Sequence, residues 1–128
     1  HMENNTNLNE KDILAIHEKR LSPASFQTLS KFYSIFADPT RLTLVSLLSE
    51  HELCVNDIAL IMDRSQSRVS HQLAILRQMD IVTHYRQGKQ VLYALTDNHI
   101  KDLFKTGLEH VSEKDDALYQ DRKRTENE

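Results

Sequence analysis

The feature that most constrains the fold of this 128-residue chain is a pair of short helical patterns separated by only three residues. The first pattern runs through Asn56 to Met62, and the second runs from Ser65 to Gln78. In the second, apolar residues recur on one side at helical spacing, namely Val69, Leu73 and Leu76. Two short helices with a break of this length, the second rich in exposed polar side chains, predict a helix-turn-helix.

Two β-rich runs follow, from Ile81 to Arg86 and from Gln90 to Leu95, with Gly88 between them. Runs of this composition around a glycine predict a β-hairpin. A helix-turn-helix followed by a hairpin is a winged helix, so we expect a mainly α fold with a β-hairpin wing.

The chain is predicted to have three segments. Residues 1–10 are expected to form a mobile arm, in which His1-Met2 is typical of a cloning remnant. Residues 11–113 are expected to form a winged-helix DNA-binding and dimerisation domain, and residues 114–128 a charged tail that frays. Within the domain, Ser22 and Asp38 each precede a proline and mark helix starts, and Thr96 is expected to cap the last helix.

The composition excludes several classes of protein. A single cysteine, Cys54, excludes an intrachain disulfide framework and fits a reducing cytoplasm. Two glycines are too few for a glycine-rich phosphate loop, and the longest apolar runs are far shorter than the roughly 20 residues of a bilayer span. No nucleophile and base stand at a recognisable catalytic spacing. We therefore expect a cytoplasmic protein with no membrane segment, no enzymatic activity and no small-molecule substrate.

Charge is unevenly distributed along the chain. The formal net charge is −3, but residues 64–90 contain five basic residues and one acid, a net charge of +4. The remaining residues contain 11 basic and 18 acidic side chains, a net charge of −7. A basic segment on an otherwise acidic chain fits a local nucleic-acid interface.

The side chains predicted to contact double-stranded DNA lie at the start of the second helix and at the tip of the hairpin. They can bond to base edges and phosphates, and they are Ser65, Gln66, Ser67, Arg68, Ser70, His71, Gln72, Arg86 and Lys89. The alternative is a solvated helix face beside a hairpin whose charges discourage edge pairing. The combination of a polar helix face with a charged wing favours DNA binding.

Two apolar stripes lie outside the helix-turn-helix. Both have mostly the three- and four-residue steps of a helix face, one comprising Phe26, Leu29, Phe32, Tyr33 and Phe36 and the other Ile100, Leu103, Phe104, Leu108 and Val111. Such stripes form either a homodimer interface, with N-terminal and C-terminal helices contributing, or part of the protomer's own core. The sequence leaves both open.

Four potential metal ligands, Asp97, His99, His110 and Glu113, accompany the second stripe. His99 and His110 share a helix face, because 11 residues make about three turns plus 20°. They are nevertheless about 16 Å apart along the axis, whereas zinc binds its ligands at roughly 2 Å. One chain cannot close this site, but an antiparallel partner helix would bring Asp97 and His99 of one protomer against His110 and Glu113 of the other. Two-fold symmetry would give two equivalent sites.

The donor types indicate the metal. Two imidazoles and two carboxylates suit tetrahedral zinc, with cobalt as a mimic, whereas nickel prefers more ligands. The alternative is a charged helix with two surface histidines. Cys54 and Asp57, with His17 from the N-terminal region, form a possible auxiliary site, and the alternative there is a small buried thiol.

From roughly Phe32 to Glu113 the chain resembles the ArsR/SmtB family of metal-sensing repressors. The resemblance is carried by Ala37-Asp38-Pro39-Thr40-Arg41-Leu42, Glu52-Leu53-Cys54-Val55, Val69-Ser70-His71-Gln72-Leu73, Arg86-Gln87-Gly88-Lys89 and Asp97 through Glu113. It implies a homodimeric winged-helix repressor on an inverted-repeat operator before metal efflux or storage genes, released by metal.

The resemblance also bears on the metal. Family members of the zinc type use the last-helix site, which this chain matches at Asp97, His99, His110 and Glu113. Thiolate-type members have Cys-Val-Cys where this chain has Asn56 in place of the second cysteine. The family pattern further implies that His110 hydrogen-bonds toward the recognition helix through its other ring nitrogen. Zinc, cobalt, nickel and cadmium stay open as the cognate metal, and the alternative function is a winged-helix regulator that does not sense metal.

Overall fold

The computed structural model describes residues 5–127, which form seven α-helices, one short 3-10 helix (Ile35–Ala37) and one two-stranded sheet. The elements are α1 (Glu10–Lys19), α2 (Pro23–Ser34), α3 (Pro39–Glu50), α4 (Val55–Met62), α5 (Gln66–Gln78), β1 (Val82–Gln87), β2 (Gln90–Leu95), α6 (Asn98–Ser112) and α7 (Asp116–Glu126). The chain divides into two compact units, and the boundary lies between Tyr33 and Ser34. Residues 1–4 of the predicted arm lie outside the described residues. No helix of the described part is long and apolar enough to cross a membrane.

The N-terminal unit consists of α1 and α2. The side chain of Asn9 caps α1 by accepting from the Asp12 amide at 2.9 Å, and the Ser22 hydroxyl accepts from the Ser25 amide at 3.2 Å. The helix start predicted at Ser22 is therefore confirmed. Neither helix has a buried side chain.

The second unit has its core around α3. Leu44 and Val45 of this helix are fully buried, together with Leu73 and Leu76 of α5. These are the positions that the helical periodicity of α5 assigns to the inside. α3 contacts α5, α6 and β2, so the second helix of the helix-turn-helix, the hairpin and α6 are all packed on one common element.

The helix-turn-helix is confirmed, and its turn has a local cause. α4 ends at Asp63, which adopts the left-handed conformation with a φ of 53°. Asp63 and Arg64 direct their amides back to the last carbonyls of α4, and Ser65 then caps α5 by accepting from the Arg68 amide at 3.2 Å. Aspartate tolerates the left-handed region better than most residues, which allows so short a turn.

The wing is an antiparallel hairpin whose register runs from Val82↔Leu95 to Gln87↔Gln90. Gly88 begins the two-residue turn with a φ of 62°, the kind of conformation that hairpin turns of this length assign to glycine. Leu53 extends the sheet by one bridge to Tyr93, with backbone hydrogen bonds of 3.1 and 2.8 Å. The predicted winged helix is confirmed.

Two predictions about the C-terminal region are wrong. Asp97, not Thr96, caps α6. The Thr96 hydroxyl is instead buried without a hydrogen-bond partner among the described residues, and the charged Asp97 carboxylate is the stronger acceptor for helix-start amides. The tail expected to fray forms α7, which Asp115 caps by accepting from the Leu118 amide at 2.9 Å.

Candidate nucleic-acid interface and candidate metal centre

The first turns of α5 present a continuous polar surface. The predicted DNA-contacting side chains that are exposed there are Ser65, Gln66, Ser67, Arg68, Ser70 and His71. Val69 and Leu73 hold the opposite side of the helix in the core, at 3% and 0% exposure. Because the apolar face of α5 is packed in the core, its polar face is directed to the surface, where a duplex can reach it.

Two glutamines of the predicted set already have partners within the protein. The Gln66 amide donates to the side-chain oxygen of Asn56 at 3.0 Å, which joins the two helices of the motif. Gln72 is half-buried and accepts from Arg41 at 3.5 Å, while Arg41 also donates to the Ile35 carbonyl at 2.8 Å. Gln72 is thus only partly exposed, and its contact with DNA stays a prediction. No periodicity signal could have found Arg41, because 31 residues separate it from Gln72.

The wing carries its two predicted cations in the open. Arg86 and Lys89 are exposed beside the Gly88 turn. Next to Arg86, the Tyr85 hydroxyl donates a hydrogen bond to the Glu52 carboxylate. This hydrogen bond raises the pKa of Tyr85, since it is lost on deprotonation and a second negative charge would then lie beside Glu52. The contact connects the wing to the segment between α3 and α4.

The start of α6 brings two of the predicted metal ligands together. The Asp97 Oδ1 atom accepts from the His99 and Ile100 amides at 2.9 and 3.4 Å. It also lies 3.4 Å from the His99 Nδ1 atom, and the His99 side chain is 92% exposed. Both hydrogen bonds of the Asp97 carboxylate use Oδ1, so the Oδ2 atom is available to bind a metal ion.

The other two predicted ligands lie at the opposite end of α6. His110 is in the last turn and Glu113 is the C-cap residue, and both are exposed. Within residues 5–127, no three side chains of the metal-binding types come close enough to hold an ion. The helix thus separates the four residues into two pairs, one at each end, and His99 and His110 lie on the same face of it.

The three auxiliary candidates lie on two stretches of the chain, two of them at the start of α4 and the third in α1. Cys54 is half-buried at the N-cap position of α4, Asp57 is exposed in the first turn of that helix, and His17 is in the last turn of α1 in the N-terminal unit. Their joint role as a metal site stays a prediction.

Comparisons with known proteins add to this geometry. Residues 38–84 match the family model described as "Bacterial regulatory protein, arsR family". The "Transcriptional repressor SmtB homolog" of Synechocystis sp. is 46% identical over 89 residues, which are 70% of this chain and 67% of that protein. The "Cadmium resistance transcriptional regulatory protein CadC" of Listeria innocua is 36% identical over 110 residues, covering 80% of this chain and 92% of that protein.

A solved structure shares the fold. The solution structure of apo-NmtR superposes with a TM-score of 0.65 at 27% sequence identity, covering 89% of this chain and 87% of that one. The matched family segment spans α3 to the start of β1, which contains the whole helix-turn-helix.

Proposed function

Because this chain belongs to the ArsR family of bacterial regulatory proteins, we propose that it is a metal-responsive transcriptional repressor. It binds an inverted-repeat operator as a homodimer in the cytoplasm and leaves the DNA when zinc is present, so that metal efflux or storage genes are expressed. Cobalt, nickel and cadmium are the other candidate metals. Family membership itself identifies a DNA-binding regulator and not an enzyme.

The observation that carries the proposal is the pair of exposed ligand sets at the two ends of α6, with His99 and His110 on one face of the helix. Imidazole nitrogen and carboxylate oxygen are both zinc ligands, and four of them complete a tetrahedral site. Asp97 and His99 are already neighbours, with 3.4 Å between the Asp97 Oδ1 and His99 Nδ1 atoms. His110 and Glu113 are one helical turn apart at the other end. The residues therefore fit zinc if a second copy of α6 lies antiparallel to the first.

Exposed apolar side chains support the second copy. Phe26 and Tyr33 of α2 are 49% and 54% exposed, and Val111 of α6 is 50% exposed. The rest of the α6 stripe is different, since Ile100 is buried and Phe104 is half-buried. That stripe thus serves the core of its own unit in part, and side chains such as Val111 are the ones left for a partner.

DNA binding would use the polar face of α5 and the two cations of the wing. The N-terminal turns of a recognition helix enter the major groove, and a dimer reaches two successive grooves about 34 Å apart. Arg68 is the exposed cation in the first turn of α5, and Arg86 and Lys89 are those of the wing. These charges suit phosphates, while the hydroxyl and imidazole groups of α5 suit base edges.

The link between the two sites is quaternary. When bound, the metal supplies a cross-link between the α6 helices of the two protomers. α6 contacts α3, and α3 contacts α5, so a changed arrangement of the α6 pair changes the separation of the two reading helices. A coupling of roughly 1–3 kcal/mol, or about 5- to 150-fold in DNA affinity, is typical of such systems.

Anisotropy measurements test the proposal. Binding duplexes are first selected from a random library with the metal-free protein, because the chain does not specify its operator sequence. We expect zinc to weaken binding to the selected duplex by roughly 5- to 150-fold. His110→Ala is expected to abolish this effect, and the matched variant His51→Ala is expected to retain it, since His51 is an exposed histidine at the end of α3.

Two results would overturn parts of the proposal. If zinc, cobalt, nickel and cadmium all leave the duplex affinity unchanged, the protein is a winged-helix regulator that does not sense metal. The absence of any salt-dependent duplex binding would remove the DNA-binding part, because phosphate contacts always make the affinity depend on salt.

A further inference from the structure

We propose that Arg122 of α7 is a positioning residue for the C-terminal ligand pair of the metal site. It holds the last turn of α6 from the side opposite His110, so that His110 and Glu113 keep a fixed spacing. This inference rests on the proposed function, because it assumes that these two residues bind metal.

The contact centres on a buried hydroxyl. Ser112 is 1% exposed and is the one buried polar or charged residue among the described residues. Its Oγ atom donates to the Glu109 carbonyl at 3.0 Å and accepts from an Arg122 guanidinium nitrogen at 2.9 Å. A second guanidinium nitrogen donates to Glu126 at 3.0 Å. The Arg122 side chain thus joins α7 to α6.

The guanidinium is well placed to be a stable donor. The Arg122 side chain is only 20% exposed, although α7 lies on the surface. The hydrogen bond to Glu126 raises the pKa of Arg122 and lowers the pKa of Glu126, so both groups are charged at neutral pH. Charged hydrogen bonds are stronger than neutral ones, most of all when partly shielded from water.

The last turn of α6 needs such a contact because its own end is weakly capped. The last carbonyls of a helix have no partners within the helix. Many helices bond them through a left-handed residue, as Asp63 does after α4, but Glu113 is in the right-handed region, with φ −65° and ψ −22°. We therefore expect the turn that contains His110 to open readily if α7 is released.

The direction of the contact leaves the ligands accessible. Ser112 lies about 160° around the helix from His110, since each residue advances by about 100°. Ser112 faces α7, while His110 and Glu113 are exposed. α7 can therefore hold the turn without covering the ligands that would meet a second copy.

Cobalt binding tests this role, with Arg122→Ala compared against Arg124→Ala. Arg124 is a matched control because its side chain is 67% exposed and its ion pair, to Asp121, lies within α7. Removal of residues that orient metal ligands typically costs 10- to 100-fold in affinity. We expect Arg122→Ala to weaken Co²⁺ binding by about 10-fold and to reduce the visible absorption of tetrahedral cobalt. Arg124→Ala should match the wild type, and Arg122→Lys should restore part of the loss.

Hydrogen exchange in the metal-free protein gives the second readout. Arg122→Ala is expected to accelerate exchange of the amides at residues 109–113 and to leave those of α5 unchanged. Ser112→Ala should have the same effect, and combining the two changes should add little, since they remove the same contact. Should Arg122→Ala fail to fold, Ser112→Ala and Arg122→Lys carry the same comparison.

The outcomes separate the inference from the proposed function. If His110→Ala weakens Co²⁺ binding but Arg122→Ala and Arg124→Ala bind it equally well, the positioning role is wrong and the metal site stands. If His110→Ala binds Co²⁺ as the wild type does, the metal site itself is wrong, and the inference falls with it.

Discussion

At the start of α6, Asp97 both caps the helix and lies 3.4 Å from His99, whereas at its end His110 and Glu113 depend on a helix that begins three residues later. The first pair is organised by neighbours in sequence, because one carboxylate oxygen accepts from the His99 and Ile100 amides. The second is organised by Arg122, ten residues beyond the serine that it contacts. Residues proposed as ligands of one metal site are thus positioned by a local rule at one end of the helix and by a tertiary contact at the other.

The largest expected effect separates the two roles of Asp97. Asparagine caps helices about as well as aspartate, but it lacks the carboxylate that zinc prefers. Asp97→Asn is therefore expected to weaken Co²⁺ binding more than 10-fold with little change in thermal stability. Asp97→Ala should lose both functions, and the lost cap costs about 1 kcal/mol of unfolding free energy. Cobalt titration and thermal unfolding measure the two quantities.

If Asp97→Asn binds cobalt as the wild type does, Asp97 is a capping residue only, and the N-terminal pair is reduced to His99. The contrast between the two ends would then lie in the number of ligands as well as in how they are held.

A smaller effect is expected at the wing, which neither end of α6 should influence in the absence of metal. Arg86→Ala and Lys89→Ala should each lower duplex affinity several-fold and reduce the slope of log affinity against log salt by about 0.9, because each removes one phosphate contact. His99→Ala should change neither quantity in metal-free protein. Arg77→Ala is the control, since Arg77 is an exposed cation at the far end of α5. Anisotropy at several salt concentrations makes the comparison.

Equal slopes for wild type, Arg86→Ala and Lys89→Ala would show that the wing does not touch phosphate. A changed metal-free affinity in His99→Ala would instead show that the N-terminal pair takes part in DNA binding.

The smallest effect concerns pH and the second partner of Arg122. Since the Arg122 hydrogen bond lowers the pKa of Glu126 in the folded protein, its contribution to stability is present at neutral pH and is lost as the pH falls through that lowered value. Glu126→Gln should reduce the melting temperature at pH 7 by about 1 °C, as expected for an ion pair one turn apart in which the Glu126 side chain is 50% exposed. The difference from wild type should shrink as the pH falls below about 4.3, the ordinary glutamate value. A difference that persists at pH 2 would assign the effect to packing and not to charge.

Much of the fold follows from patterns that adjacent residues carry. The apolar residues of α5 recur at helical spacing within one short segment, and the glycine of the wing lies between two short β-rich runs. The helix-turn-helix and the hairpin could therefore be predicted from neighbouring residues alone. The misassigned cap shows the limit of this approach. Thr96 and Asp97 are both residue types that cap helices. Which of the two caps α6 depends on the residue at which the helix begins, and this is fixed by how β2 and α6 pack in the folded protein.

The candidate site divides along the same line. The residue types and the shared face of His99 and His110 are visible in the sequence, because helical geometry converts a separation of 11 residues into an angle. The engagement of Gln72 by Arg41 is not visible, since it joins two helices 31 residues apart.

The sequence by itself determined the winged helix, the basic character of residues 64–90 and the identity of the candidate ligands, because each depends on short-range periodicity or on side-chain chemistry. Only the tertiary structure decided that residues 116–126 form a helix and that it holds α6 at Ser112. A charged segment of this composition has little tendency to stay ordered alone, and its stability comes from contacts with residues that the chain brings near only on folding.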